Sequence, residues 1–267
     1  MSVDDKVLLS ARNVTKRFPA GKGKYLYAVN DVSLDLMRGE TLALVGESGC
    51  GKSTLAKLLM RMTDADSGEI IFDGVRISGL REKQMRPFRR RMQMVFQDPA
   101  SSLDPRMKIR DIIAEPLDAW HVCQTPRERE DRIAELLDMV ELKESSLNRY
   151  PHQFSGGQKQ RIGIARAIAL NPDLLVCDEC VSALDVSVQA QILNLLKKLK
   201  RELGLTCLFI SHDLGVVNFI SDRVCVMNKG AICETADVDN LYAHPQHAYT
   251  KYLLSAVFPL EVQTSSL

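Results

Sequence analysis

The stretch "GESGCGKS" at residues 46–53 sets Gly46, Gly51, Lys52 and Ser53 in the spacing G-x-x-x-x-G-K-[ST]. Glycine at those positions lets the chain turn so tightly that successive backbone N–H groups face one concavity, a cradle for phosphate oxygens. An apolar run, "TLALVG", feeds the loop, and "KSTLAKLLMRM" leaves it with helical spacing. The positive end of that helix reinforces the cradle. The loop residues Glu47, Ser48, Gly49, Cys50 and Thr54 complete the wrapping backbone. Lys52 reaches the outer phosphates, and the Ser53 hydroxyl suits Mg²⁺.

"LLVCDE" at 174–179 ends an apolar strand in Asp178 and Glu179. Two carboxylates then stand at the carboxyl edge of a parallel sheet, where ligands bind. Asp178 suits the Mg²⁺ ion, directly or through water, and Glu179 can take a proton from an attacking water. His212 ends "TCLFISH", where it can donate a hydrogen bond to a terminal phosphate; by itself such a histidine is more often structural. Gln97 closes "MQMVFQ" with an amide suited to the metal or the water, or else it is a polar residue that merely ends a strand. A second glycine-rich helix start, "SGGQ" at 155–158, offers a further anion site, although one nucleotide fills only one.

Strand patterns ("VLLSARNV", "VSLDLM", "GEIIFDG") alternate with turns such as "RGE" in the first part of the chain. From about 98 to 152 the texture turns helical. Thr125 is an N-cap, Pro126 takes the first helical position and Glu128 closes a capping box. Ile133, Leu136, Leu137 and Val140 share one face of that helix. Alternation then resumes with "DLLVCDE", a helix "SVQAQILNLLKKLKREL" stopped by Gly204, "TCLFISH" and "DRVCVMNKG". The pattern is an α/β core with a helical insertion. No internal repeat is evident.

The 267 residues, 45% hydrophobic, suffice for a large packed core. A net charge of +1, from 35 Lys+Arg against 34 Asp+Glu, lacks the basic excess of a nucleic-acid binder. Neither a signal peptide nor a bilayer-long apolar run is evident. Seven cysteines, an odd number scattered mostly in apolar runs, point to a reducing compartment rather than a disulfide framework. Cys177 and Cys180 form a C-x-x-C, but on a strand residues three apart face opposite sides, which argues against a metal or redox pair.

In chain order the loop at 46–53, "VFQDP" at 95–99, "FSGGQ" at 154–158, "LLVCDE", "SALD" at 182–185 and "SHD" at 211–213 resemble the motifs of ATP-binding-cassette (ABC) ATPases over nearly the whole chain. The resemblance implies a RecA-like P-loop NTPase core with an N-terminal antiparallel β subdomain and an inserted α-helical signature subdomain. Within one domain spanning 1–267, the insertion covers about 98–165 and a short tail about 235–267. It implies ATP and Mg²⁺ as ligands, with Ser53, Gln97 and Asp178 around the metal and Glu179, His212 and Gln97 in catalysis. Phe18 is the aromatic matched to adenine stacking, with Tyr25 and Tyr27 as neighbours that could take its place. The signature Phe154, Ser155, Gly156, Gly157 and Gln158 would serve the nucleotide of a second chain in a head-to-tail dimer, with Asp185 sensing closure. Two departures stand out: Cys180 replaces the usual Pro or Ala, and Phe154 the commoner Leu.

Further stretches ("FQDPASSLDPRM", "IIAEPL", "RYPHQFSGGQKQRI", "DECVSALDVSVQAQILNLL") are similar to ATPases of bacterial dipeptide and oligopeptide importers. The relatives of these carry nickel, metal chelates, glutathione or opines. The resemblance implies an identical or homologous ATPase partner, two membrane-spanning permease subunits and an extracytoplasmic solute-binding protein. The place implied is the cytoplasmic face of the bacterial inner membrane. A groove for a short membrane-subunit helix is expected within 98–120, with Ile112 and Leu117 on a partly exposed apolar surface. The tail "YAHPQHAYTKYLLSAV" also matches, with Ala248 where Pro is usual. The ending "FPLEVQTSSL" gives no reason to expect a metal or iron–sulfur site. A soluble, non-transport ABC ATPase would want tandem cassettes or a nucleic-acid arm, and a regulator without turnover would want Glu179 or His212 lost.

Overall fold

The computed structural model describes residues 6–21 and 23–257. Strands β1 (Val7–Pro19) and β2 (Tyr25–Met37) pair antiparallel, from Pro19↔Tyr25 to Val7↔Met37. Strand β3 (Thr41–Val45) follows, buried at every residue, and leads through the glycine-rich loop into α1 (Lys52–Leu59). The helix stops earlier than its apolar spacing suggests. Arg61 takes φ 53°, and the Met62 N–H reaches back to the Lys57 carbonyl at 2.8 Å, a Schellman ending formed without glycine. Strand β4 (Ser67–Phe72) returns to β1 and β5 (Val75–Arg76) adds the edge, giving an antiparallel sheet in the order β2-β1-β4-β5.

Next come α2 (Glu82–Arg91), β6 (Met92–Val95) and a helical lobe of α3 (Pro99–Ser102), α4 (Ile109–Ala119), α5 (Pro126–Met139) and α6 (Gly156–Ile168). The Thr125 hydroxyl caps α5 as expected, accepting the Glu128 N–H at 3.2 Å. The Glu128 carboxylate, however, accepts the Gln124 N–H at 2.7 Å, one residue before the cap itself. Ile133, Leu136, Leu137 and Val140 bury against α4 and α6. The expected surface at Ile112 and Leu117 needs correction. Both are 1% exposed, because they lie on the two flanks of the broad apolar face, with Ile109 and Ile113 between, that α4 turns into this core.

Strand β7 (Leu174–Asp178), helix α7 (Val186–Leu203), strand β8 (Thr206–Ser211), helix α8 (Leu214–Ile220) and strands β9 (Arg223–Asn228) and β10 (Ala231–Asp237) complete a second sheet, β10-β9-β3-β8-β7-β6. Gly204, at φ 64°, ends α7. All pairs from β9 to β6 are parallel, and β3, β7 and β8 are buried throughout, as strands covered on both faces must be. The segment read as a tail is built into the core as far as it is described. Strand β10 pairs antiparallel with β9, and α9 (Val238–Ala243) and α10 (Ala248–Val257) place Leu241 and Leu254 in an apolar cluster with Leu214 and Val217. Residues 258–267, "FPLEVQTSSL", lie outside the described residues.

The C-x-x-C reading also changes. The strand ends at Asp178, Glu179 turns left-handed at φ 47°, and Cys180 folds back within hydrogen-bonding reach of Cys177. The Cys180 thiol and burial together hold the Cys177 thiol well above its ordinary range, so Cys177 is an inert core group, and Cys180 is buried beside it. Among the described residues no three His, Cys, Asp or Glu side chains are grouped closely enough to hold a metal ion.

Candidate functional site

Sheet register brings the sequence-predicted groups together. Val45 of β3 lies opposite Ser211 of β8, Ile210 opposite Asp178 of β7, and Cys177 opposite Val95 of β6. The residues that follow these strand ends are therefore level with one another: the loop from Gly46, then His212, Glu179 and Gln97. The carboxyl edge of one parallel sheet collects them all.

Two of the loop glycines cannot be replaced without moving backbone. A Cβ on Gly46, at φ 151°, would meet the Met227 carbonyl oxygen at 2.2 Å; one on Gly51, at φ 112°, would meet the Ala28 oxygen at 2.0 Å. The loop is thus pressed onto β2 and β9. Lys52 is 4% exposed and donates to the carbonyls of Gly46 at 2.7 Å and Glu47 at 2.9 Å. The Ser53 hydroxyl donates to Asp178 at 3.0 Å. Burial pushes the Asp178 pKa up, the Ser53 hydrogen bond opposes this, and the neighbouring Glu179 charge adds to it. A buried carboxylate beside a second carboxylate and a hydroxyl is a hard-oxygen set whose burial the Lys52 and Lys57 charges offset only in part.

Glu179 sits between the two other predicted groups. The Gln97 amide donates to one carboxylate oxygen at 3.0 Å, and His212 Nδ1 lies 3.5 Å from the other. Its backbone N–H donates to Ile210, which anchors the left-handed turn.

A cavity of about 750 Å³ opens over these groups. Phe18, Leu26 and Tyr27 of the β1–β2 hairpin form an apolar wall; the loop from Glu47 to Thr54 forms the floor, and Gln97 and Glu179 lie to the side. Tyr25 does not line it and instead carries the Arg17 guanidinium, 4.5 Å from its ring centre. The turn Asn228–Gly230 also lines the cavity, and the Gly230 N–H bonds the Cys50 carbonyl at 2.9 Å. Sequence reasoning missed this wall; "NKG" after an apolar strand was its only signal.

None of residues 154–158 lines that cavity. Ser155 caps α6 in a reciprocal box with Gln158, at 3.3 and 3.1 Å. Phe154 is buried, with the Arg149 guanidinium 4.4 Å above its ring. A Cβ on Gly157 would meet Val188 at 2.3 Å, so glycine is what lets α6 start against α7. Asp185 caps α7, accepting the Val188 N–H at 2.9 Å, and this bond lowers its pKa.

A phosphate loop whose lysine and serine face strand-end carboxylates at the switch edge of a parallel sheet defines a P-loop nucleotide hydrolase, here with a helical lobe inserted. The model of the family "ABC transporter" matches residues 29–182. The chain belongs to that family, the ATP-hydrolysing cassettes. It is 51% identical over 251 residues to the oligopeptide transport ATP-binding protein OppF of Bacillus subtilis (strain 168), covering 94% of this chain and 82% of that one. To the OppF of Streptococcus mutans it is 49% identical over 257 residues, covering 96% and 83%. Among solved structures, the dimeric post-hydrolysis cassette MJ0796 bound to ADP and Pi is similar at a TM-score of 0.79 and 32% identity, covering 86% of this chain and 99% of that one. The cbiO1 of Clostridium perfringens, part of the ABC transporter complex cbiONQ, is similar at 0.78 and 26% identity, covering 95% and 96%.

Proposed function

We infer that this chain is the ATP-hydrolysing subunit of a bacterial ABC importer for oligopeptides or dipeptides, converting ATP and water to ADP and phosphate. The observation that carries the chemistry is the shared sheet edge, where Lys52, Ser53, Gln97 and Glu179 line one cavity, with Asp178 bonded to Ser53 and His212 beside Glu179. The peptide cargo rests on the OppF relatives. It is tested by identifying which solute the accompanying extracytoplasmic binding protein retains.

ATP enters with its base against Phe18 or Tyr27 and its phosphates on the loop amides. Lys52 then gives up the carbonyls of Gly46 and Glu47 for the outer phosphates. Mg²⁺ fits the donor set of Ser53, Asp178 and the Gln97 amide, where it would neutralise phosphate charge and relieve the unfavourable burial of Asp178. Glu179 takes the proton of the attacking water, with the Gln97 amide holding one carboxylate oxygen and His212 beside the other. His212 also stands where it can donate to the terminal phosphate.

The signature at 154–158 takes no part in lining this chain's own cavity, which supports its use by a second ATPase subunit in a head-to-tail dimer. Gly157 packs on Val188 in the first turn of α7, the helix that Asp185 caps. Movement at the signature therefore reaches the loop that follows Glu179.

Two membrane-spanning permease subunits complete the transporter, and they hold the chain on the cytoplasmic face of the membrane. With Ile112 and Leu117 in the core, their docking surface falls instead on the groove between α2 and the end of α4, a cavity of about 570 Å³. Lys83, Arg86 and Arg90 recur at i, i+3 and i+7 on one face of α2, and Arg86 lies 5.2 Å from the centre of the Trp120 ring. Arg89 and Arg91 are engaged by Glu82, Asp73 and Asp173, whereas those three cations have no acidic partner among the described residues. A short permease helix carrying carboxylates is the occupant that this charge pattern suits.

A further inference from the structure

We propose that Tyr249 of α10 is a positioning residue for the phosphate loop, its hydroxyl holding the Glu47 peptide in the orientation that ATP binding needs. The proposal rests on the ATP-binding reading above. Tyr249 Oη accepts the Glu47 N–H at 3.1 Å, joining the end of the described chain to its phosphate cradle. The carbonyl of Glu47 accepts Lys52 Nζ at 2.9 Å and the Cys50 N–H at 3.2 Å. Both sides of this loop residue are therefore tethered before nucleotide arrives.

These two tethers respond differently to ATP. Lys52 must leave the Gly46 and Glu47 carbonyls to reach a phosphate, so its hold on the loop is lost on binding. The Tyr249 bond needs no such exchange and keeps the Glu47 peptide fixed throughout. A loop without it is ordered at the moment of binding, and that ordering entropy is subtracted from affinity.

Tyr249 is itself held in place. The Glu234 carboxylate of β10 accepts the N–H groups of Gln246 at 2.8 Å and His247 at 3.0 Å, and His247 Nδ1 accepts the Tyr249 N–H at 3.1 Å. The next residue, Thr250, is buried. With the Gly230 N–H on the Cys50 carbonyl, the β9–α10 segment grips the loop at two residues. Burial raises the Tyr249 pKa, so its hydroxyl stays neutral and keeps its acceptor lone pairs near pH 7. The tail matched as "HAYTKYLL" thereby acquires a task at the nucleotide site.

The test is Tyr249→Phe in the full chain, which keeps the ring and its stacking on Tyr252 at 6.5 Å between centroids and removes only the hydroxyl. ATP affinity is measured by equilibrium titration with Mg²⁺ and a fluorescent ATP analogue, beside steady-state kinetics and the melting temperature of the nucleotide-free protein. The expected result is a Kd and KM raised about fivefold, the ratio given by one net hydrogen bond. kcat at saturating ATP and the melting temperature should stay close to those of the unmodified chain. Glu234→Gln should raise Kd in the same direction and add nothing to Tyr249→Phe in the double variant. An unchanged Kd in Tyr249→Phe, or a fall in kcat at unchanged KM, overturns the proposal. Failure of the unmodified chain to bind ATP overturns the ATP reading beneath it as well, so the two failures are distinct.

Discussion

Whether the signature works on a partner's nucleotide is decided by dividing the damage between two chains. One chain carries Lys52→Ala, which removes the buried cation from the phosphate loop. The other carries Ser155→Arg, which places a large charged side chain at the start of α6. The second change also removes the cap on the Gln158 N–H, at 3.3 Å, a loss of about 1 kcal/mol. A domain stable by roughly 5–15 kcal/mol survives that loss, so folding does not confuse the outcome. Each homodimer then lacks a working site, through dead loops in one and dead signatures in the other. If subunits pair at random, half of the dimers in an equimolar mixture are mixed, and each holds one complete site of two. About a quarter of the unmodified site density returns.

The assay is ATP occlusion and hydrolysis by the mixture, at a protein concentration high enough to populate dimers, against each variant alone. Occlusion is included because it reads a single closed site even where turnover needs both. ATP that binds only the associated form also makes the signal concentration-dependent. If the natural assembly pairs this chain with a homologous ATPase, the two substitutions are divided between the two kinds of chain. A signature acting on its own chain's ATP would give no recovery, since neither chain is intact. Activity that stays at the sum of the separate variants, with mixed dimers demonstrated by cross-linking, refutes the trans arrangement.

Glu179→Gln should bind ATP within a few-fold of the unmodified affinity and lose at least about a hundredfold in turnover, measured by phosphate release. Asp178→Asn should lose Mg²⁺-dependent ATP binding yet stabilise the nucleotide-free protein. The raised pKa of Asp178 means that the fold favours its protonated form, so the unmodified chain loses stability as pH rises through that pKa. The variant's advantage in chemical denaturation should therefore grow from acid to neutral pH. Arg86→Glu with Arg90→Glu should abolish coupled transport and leave basal ATP hydrolysis within about twofold, because exposed charges contribute little to stability. Ile112→Asp should instead unfold the helical lobe, at about 4 kcal/mol or more for a charge buried without a partner, seen as loss of the cooperative thermal transition.

Chemistry was more legible in the sequence than packing was. Gly46, Lys52, Asp178, Glu179, Gln97 and His212 stand out because the phosphate and metal binding proposed for them would demand particular residue types next to strand ends, and parallel register makes them neighbours. Ile112 and Leu117 carry no such mark. An apolar residue in an amphipathic helix reads the same whether its face meets core or partner, and here α6 covers it. Tyr249 was out of reach for another reason. Its partner, the Glu47 N–H, lies 202 residues away in sequence, and a backbone amide leaves no trace in residue type. The Asn228–Gly230 wall likewise acts mainly through backbone, in the Gly230 bond to Cys50.

Cys180 shows how one strained residue governs its neighbours. A non-glycine residue in the left-handed region costs about 1 kcal/mol, and Glu179 is held there by its N–H on Ile210 and by the Ser182 N–H and hydroxyl on its carbonyl, at 3.1 and 2.9 Å. In that conformation the carboxylate lies between Gln97 and His212. The same reversal drives the next side chain back into the core against Cys177, leaving it 2% exposed. Position 180 must therefore be small and tolerate burial, which Pro, Ala and Cys all do. The departure from the family pattern at Cys180 satisfies the steric demand that the family's usual residues satisfy.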